Sequence, residues 1–355
     1  VCDDRHAALR AACLTALVAF VALAGALFNV AALAAMPVPA AAASEIETQS
    51  RALNRASDAV LGVRALAIEE ARSNTTLGRA RQGSGVVIGR DGLVLTIGYL
   101  ILEAEQVQLV VDGERIVPAR VVAYDVATGF GLLQALAPLR IEPAPLGPSA
   151  GVAQEEPLMM ASGGEDGGVS VAHLVSRRPF AGYWEYLIDD ALFTSPPRSD
   201  HSGAGLFNTR GELVGIGSLV VADAMGADAP HMPGNMFVPT DLLRPILDEL
   251  RRDGMSAASR RAWLGMNCVE LSGQVHVLRI NSDSPADVAG LQVGDRILRI
   301  DGTEVARLDM LWKSLWSGGQ PEREVTLDIE RDNQPQTLKL QTVDRMKTLR
   351  RARGI

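Results

Sequence analysis

The chain has 355 residues, 47% of them hydrophobic and 21% charged, and 42 acidic against 34 basic side chains give a net charge of -8. That length suits two or three compact domains, and the acidic balance argues against nucleic acid as the main partner, because phosphate binding needs a clustered basic surface. Of the three cysteines, Cys2 and Cys13 fall in the leader and Cys268 has no partner, so no disulfide framework is expected and Cys268 reads as a small buried hydrophobe.

In chain order, Cys13 to Met36 is an almost unbroken apolar run, long enough to span a bilayer. The small residues from Val38 to Ser44 resemble a signal-peptidase site. Two readings of residues 1–43 stand open. One is a cleaved signal peptide that leaves a soluble periplasmic chain. The other is an N-terminal anchor that tethers the chain to the inner membrane. Both place the remainder outside the cytoplasm.

Residues 51–58 read as helix, Val60 to Ile68 as a strand and residues 69–82 as a polar mobile loop. Short strands then follow in quick succession: Gly83 to Gly89, Leu93 to Leu102, Gln106 to Val111 and Arg115 to Tyr124. Asp91-Gly92 and Asp112-Gly113 separate them, and Asp-Gly between alternating apolar runs is a strong hairpin signal because the turn needs positive φ. Further strands fit Pro157 to Ala161, Val169 to Val175, Tyr183 to Ile188, Gly205 to Phe207, Leu213 to Leu219 and Asn235 to Val238. This is the pattern of an all-β barrel or sandwich. Leu242 to Arg252 carries an apolar stripe at helical spacing, with Thr240 or Asp241 placed to cap it, and Met255 to Arg261 suits a linker.

A smaller α+β pattern occupies the rest. It has strands at Val275 to Ile280 and Arg296 to Ile300, a helix over Leu308 to Trp316, and a final hairpin across Asp332-Asn333. Arg345, Lys347, Arg350, Arg351 and Arg353 form a basic tail that reads as a solvated end.

Two constellations carry chemistry. Gly83-Ser84-Gly85 leads through Asp91-Gly92 to Thr96-Ile97-Gly98-Tyr99, and Asp200-His201-Ser202-Gly203-Ala204-Gly205 is followed by Gly211-Glu212-Leu213-Val214-Gly215. In this order and spacing they resemble the catalytic segments of the HtrA/Deg family of trypsin-like serine proteases. The resemblance extends over about residues 45–343. It implies an all-β chymotrypsin/trypsin-like double β-barrel over 44–240, a connecting helix and linker over 241–261, a small α+β PDZ domain over 262–343 and a basic tail over 344–355.

Residue by residue, the resemblance puts Ser202 on the nucleophile, Tyr99 on the general-base histidine, Gly129 on the orienting aspartate and Asp200 on the oxyanion-hole glycine. A serine needs a base to take its proton, and the base needs a third group to orient it. A phenol with pKa ~10 is protonated at neutral pH. A carboxylate at Asp200 opposes a developing oxyanion. Asp125 lies outside the triad. His201 adjoins Ser202 but has little chance of reaching it, and the lysines Lys313, Lys339 and Lys347 all lie in the C-terminal part. The expectation is therefore a relict nucleophile in an inactive protease homologue; a weak or unconventional endopeptidase using Ser202 is the alternative. No metal-ligand spacing occurs, and neither metal nor cofactor is expected.

Trp263-Leu264-Gly265-Met266 resembles the carboxylate-binding loop of such PDZ domains, and Ser284-Pro285-Ala286 through Leu298 resembles their most recognisable stretch. By that resemblance the groove runs between residues 266–269 and a helix presenting Leu311 and Leu315, and it takes unfolded or C-terminal peptide segments of envelope proteins by strand addition. The resemblance also implies a homo-oligomer, commonly a trimer.

Overall fold

The computed structural model describes residues 40–226 and 229–350. The apolar run over residues 13–36 and the tail arginines Arg351 and Arg353 lie outside the described residues. Among the described residues, no helix is long and apolar enough to cross a membrane. The chain divides into residues 1–45 and 46–355. After the first residues of helix α1 (Ala40–Asp58), every element below belongs to the second.

Two closed antiparallel barrels of six strands follow α1, as the alternating patterns and turn residues lead one to expect. The first comprises β1 (Val60–Ala67), β2 (Ala80–Val87), β3 (Leu93–Ile97), β4 (Ala104–Val111), β5 (Arg115–Tyr124) and β6 (Phe130–Ala135), in the order β1-β2-β3-β6-β5-β4. The second comprises β7 (Pro157–Ala161), β8 (Val169–Gly182), β9 (Tyr186–Ser195), β10 (Gly205–Phe207), β11 (Leu213–Val221) and β12 (Gly234–Pro239), in the order β10-β11-β12-β9-β8-β7. Asp112 and Gly113 both take positive φ, at 53° and 78°, which joins β4 to β5 in the tight hairpin their sequence calls for. Phe130 fills the interior of the first barrel and Phe193, Phe207 and Phe237 that of the second, all fully buried. Each such side chain contributes about 1.5–3 kcal/mol of transfer free energy.

Three local expectations change. Residues 69–82 are no loose loop. A short helix α2 (Asn74–Leu77) forms, and β2 starts at Ala80. Buried Arg81 orders the segment by donating to the carbonyls of Tyr99 (3.0 Å) and Leu102 (2.6 Å). Second, the connecting helix is shorter than its apolar stripe suggests. Thr240 spends its hydroxyl on the carbonyls of Gly147 and Leu213, and the Asp241 carboxylate accepts from the Ala150 N–H instead of capping a turn. Residues 240–242 make only a 3₁₀ turn, and α3 covers Leu247–Asp253, ending at left-handed Gly254. Third, β8 and β9 run well past the expected strands and project a long hairpin whose tip is Tyr183-Trp184-Glu185.

The C-terminal domain holds a sheet of β14 (Met266–Leu271), β15 (Gln274–Ile280), β16 (Arg296–Ile300), β18 (Glu324–Arg331) and β19 (Gln334–Gln341), with β17 (Thr303–Glu304) on β16. A two-stranded pair, β13 (Ala262–Trp263) with β20 (Val343–Asp344), closes its base. Helix α4 (Pro285–Val288) is capped by Ser284, whose hydroxyl accepts from the Asp287 N–H. Helix α5 (Leu308–Ser317) buries Leu311, Trp312 and Leu315 against the sheet. Cys268 is buried and unpaired within this core. The basic tail is not simply a solvated end. The Arg350 N–H donates to Glu103 Oε1 (2.9 Å) on the first barrel, and its guanidinium donates to the Glu70 carbonyl.

The domains are tied together at Asp125. Its buried carboxylate accepts from the Ser256 N–H and hydroxyl, the Ser259 hydroxyl, and the N–H and hydroxyl of Thr128. Burial alone would raise this carboxyl's pKa, but the hydrogen bonds outweigh it and hold the group below its ordinary value.

Candidate functional site

Ser202 sits in the turn before β10, between the barrels. Its carbonyl accepts from the Ser84 N–H of β2 at 2.8 Å. Gly203 next to it takes φ 75°, and a Cβ there would stand 2.0 Å from the Ser84 carbonyl. Glycine at that position is what lets the two barrels approach so closely.

The structure brings Tyr99 and Ser202 together. Tyr99 Oη lies 2.7 Å from Ser202 Oγ and 2.8 Å from the Ser218 carbonyl. A phenol carries one proton and a carbonyl can only accept, so the proton is directed at Ser218 and the Ser202 hydroxyl donates to the phenol oxygen. The phenol thus has the position of a base without the basicity. Burial pushes its pKa up to about 12, with the Ser202 contact pulling only weakly the other way. At neutral pH it holds its proton.

Gly129 lies behind Tyr99, on the turn from β5 to β6, at φ 82°. Its carbonyl accepts from the Gly98 N–H at 2.7 Å. The Tyr186 hydroxyl, donating to the Thr128 carbonyl at 2.7 Å, fills the space beside Gly129. The nearby carboxylate of Asp125 faces the linker serines and Thr128.

Asp200 is not left facing the pocket as an isolated charge. Arg198 grips it through Nε (2.7 Å) and Nη2, and the Ser162 hydroxyl donates to the same carboxylate. Burial opposes the charged form, but Arg198 and Ser162 overcome it and hold the Asp200 carboxyl below its ordinary range. Arg198 and Ser162 are site residues with no motif to flag them. The signal available was an arginine two places before an unexpected acid.

No histidine substitutes among the described residues. His201 Nδ1 pairs with the Arg198 carbonyl at 3.1 Å, His173 Nδ1 with the Glu155 carbonyl and His231 with Asp223, and none hydrogen-bonds Ser202. Burial holds the His201 imidazole below its ordinary pKa. Lys313, Lys339 and Lys347 bond to carboxylates of Asp309, Glu324 and Glu322. Among the described residues no acidic, histidine or cysteine cluster could hold a metal.

The second site lies in the C-terminal domain. Trp263, Leu264, Gly265 and Met266 form a buried turn between β13 and β14, and Leu311 and Leu315 of α5 are fully buried in the same domain's core. Gly265, at φ 80°, has no room for a Cβ against Ser284. The backbone N–H groups of Leu264 (3.2 Å), Gly265 (2.7 Å) and Met266 (3.2 Å) converge on one acceptor, the carboxylate of Glu185 from the β8–β9 hairpin tip. Three convergent N–H groups form a carboxylate-binding nest. Sequence reasoning missed Glu185 and Tyr183. An acid flanked by Tyr183, Trp184 and Tyr186 on a hairpin tip was the one hint.

Comparison with known proteins agrees with this architecture. Residues 83–216 match the trypsin-like peptidase domain and residues 262–342 the PDZ domain. A probable periplasmic serine endoprotease, DegP-like, of Ectopseudomonas mendocina is 26% identical over 291 residues, covering 74% of this chain and 57% of the relative. Serine endoprotease DegS of Haemophilus influenzae is 27% identical over 273 residues, covering 73% of this chain and 77% of the relative. The chain thus spans little more than half the length of the DegP-like relatives it matches. In fold it is similar to the HtrA-type protease AlgW solved with a decapeptide (TM-score 0.52, 20% identity, covering 84% of this chain and 98% of that one). It is likewise similar to a serine endoprotease from Yersinia pestis (TM-score 0.50, 22% identity, covering 83% and 97%).

Proposed function

Taking the chain as HtrA-like, a trypsin-like peptidase domain followed by a PDZ domain, we propose that it is a non-catalytic peptide-binding protein of the cell envelope. It keeps the serine of a protease and works as a scaffold or holdase in envelope protein quality control. One observation carries this reading. Among the described residues, the one side chain bonded to the Ser202 hydroxyl is a phenol that holds its proton at any physiological pH. Attack by a serine needs proton transfer to a base within hydrogen-bond reach. Tyr99 is within reach and is no base, and at Gly129 the orienting carboxylate has no counterpart. An Asp200 already committed to Arg198 adds nothing that would stabilise an oxyanion. The periplasmic description of the DegP-like relatives supports a place outside the cytoplasm for this chain as well.

Labelling with a fluorophosphonate probe tests the reading. Wild type and Ser202→Ala are expected to label equally, at background. Labelling or casein turnover lost in Ser202→Ala would overturn it. That result would favour the second reading, an unconventional endopeptidase, whose support is the preserved 2.7 Å contact between Ser202 and the group in front of it.

A further inference from the structure

The nest at Leu264, Gly265 and Met266 is filled from within the chain, and the filling extends beyond one carboxylate. Two residues before Glu185, the Tyr183 carbonyl accepts from the Cys268 N–H of β14 at 2.8 Å. One residue further back, the Gly182 carbonyl accepts from Trp312 Nε1 of α5 at 2.9 Å. The segment Gly182 to Glu185 therefore meets the edge of β14, the face of α5 and the nest together. Those are the three surfaces a bound peptide would use: a strand edge for its main chain, a helix for its side chains and N–H groups for its terminal carboxylate. The match is specific. Glu185 is buried at 6% exposure, hydrogen-bonded by three backbone N–H groups and attracted by Arg345, while Tyr183 beside it is 51% exposed. A hairpin tip has no packing reason to bury its acid and expose its tyrosine, unless the acid is what the other domain holds.

We infer that the Gly182–Glu185 hairpin tip is an internal ligand that closes the peptide groove, with the Glu185 side chain standing in for a peptide's terminal carboxylate. This rests on the peptide-binding reading above and adds its regulation. An external peptide with a free carboxyl terminus must displace Glu185 to bind. The tethered competitor acts at an effective concentration in the millimolar range for short connections. The apparent affinity for outside peptides falls by the fraction of molecules in which the groove is open. Displacement also frees the β8–β9 hairpin. This hairpin forms one wall of the second barrel and carries Tyr186, the residue packed against Gly129 behind Tyr99.

The test uses the full chain and a dye-labelled mixture of random heptapeptides with free carboxyl termini, with the same mixture amidated as control. Retention is compared for wild type, Glu185→Ala and the charge-reversed Glu185→Lys, which points a cation at the three N–H groups. Protection of the Val277 amide, which bonds within the C-terminal domain, reports that each variant is folded. The expected result is at least tenfold greater retention of free-acid peptides by both variants than by wild type, no retention of amides, and faster exchange at the amides of Gly265 and Cys268 in the variants. Equal retention by wild type and variants overturns the self-closed groove while leaving peptide binding intact. No retention by the folded, opened variants overturns both readings together.

Discussion

Tyr186 Oη lies 2.6 Å from the point where a Cβ on Gly129 would stand. The residue behind the would-be base is thus held to glycine twice over, by its left-handed backbone at φ 82° and by a phenol pressed against its open side. Reconstructing a triad with Tyr99→His and Gly129→Asp puts a carboxylate into occupied space. We expect the double variant to lose about 2–4 kcal/mol of stability, from the positive φ and the overpacking, and to stay at background in fluorophosphonate labelling. Urea denaturation and the probe check the two halves separately. Labelling by the double variant with Tyr186 intact would contradict the packing argument.

Tyr99→Phe keeps the ring and removes the hydroxyl. It strands the Ser218 carbonyl, whose residue is buried, and takes the acceptor from Ser202. The expected loss is about 1–3 kcal/mol, the cost of an unsatisfied buried polar group. Ser202→Ala removes the other half of the pair, a half-buried hydroxyl that bonds to Tyr99. It should cost no more than ~1 kcal/mol. If Tyr99→Phe proves the milder of the two in thermal melts, the assignment of the phenol proton to Ser218 is wrong.

Glu185 carries a pH dependence of definite sign. Burial pushes its carboxyl up to about 7 from the ordinary 4.5, opposed by Arg345 and by the N–H groups of Leu264, Gly265 and Met266. A group whose pKa rises on docking binds its proton more tightly when docked. Its contribution to closure is complete below the undocked pKa and is lost as pH rises through the docked one. Retention of free-acid peptides by wild type, divided by retention by Glu185→Ala, should therefore climb between about pH 5 and pH 7.5 and level off above. The ratio cancels the titration of the peptides themselves. A ratio flat across this window would contradict the assignment.

Asp125 behaves in the opposite sense. Its depressed pKa contributes stability above the ordinary aspartate range, and that stability is lost as pH falls through the folded value. Asp125→Ala leaves Ser256, Ser259 and Thr128 without their shared acceptor and should cost about 3 kcal/mol. Limited proteolysis should then cut first within residues 254–261, where wild type resists.

The barrels were legible because their information is local. The continuous apolar run of β3, alternation along β4 and β5, and the turn pair Asp112-Gly113 specify strand and hairpin within ten residues. The helix before the linker was misjudged because its end is decided at a distance: Thr240 bonds to Gly147, 93 positions away. The site divides in the same way. The Tyr99–Ser202 meeting followed from motif order. The Arg198–Asp200 grip and the Glu185 contact follow from tertiary placement alone, since nothing near residue 185 announces three amides some eighty positions later.

The hydrogen bond from the Arg350 amide to Glu103 spans 247 positions. At synthesis rates of about 5–20 residues per second, a ribosome needs roughly 10 to 50 s to travel from one to the other. Throughout that interval the nascent first barrel carries Glu103 without this partner, held by neighbours such as the Ser73 N–H and hydroxyl. The surroundings of Glu103 therefore gain this hydrogen bond only after residue 350 has been made, so folding of the first barrel's rim is completed long after its strands have been synthesised.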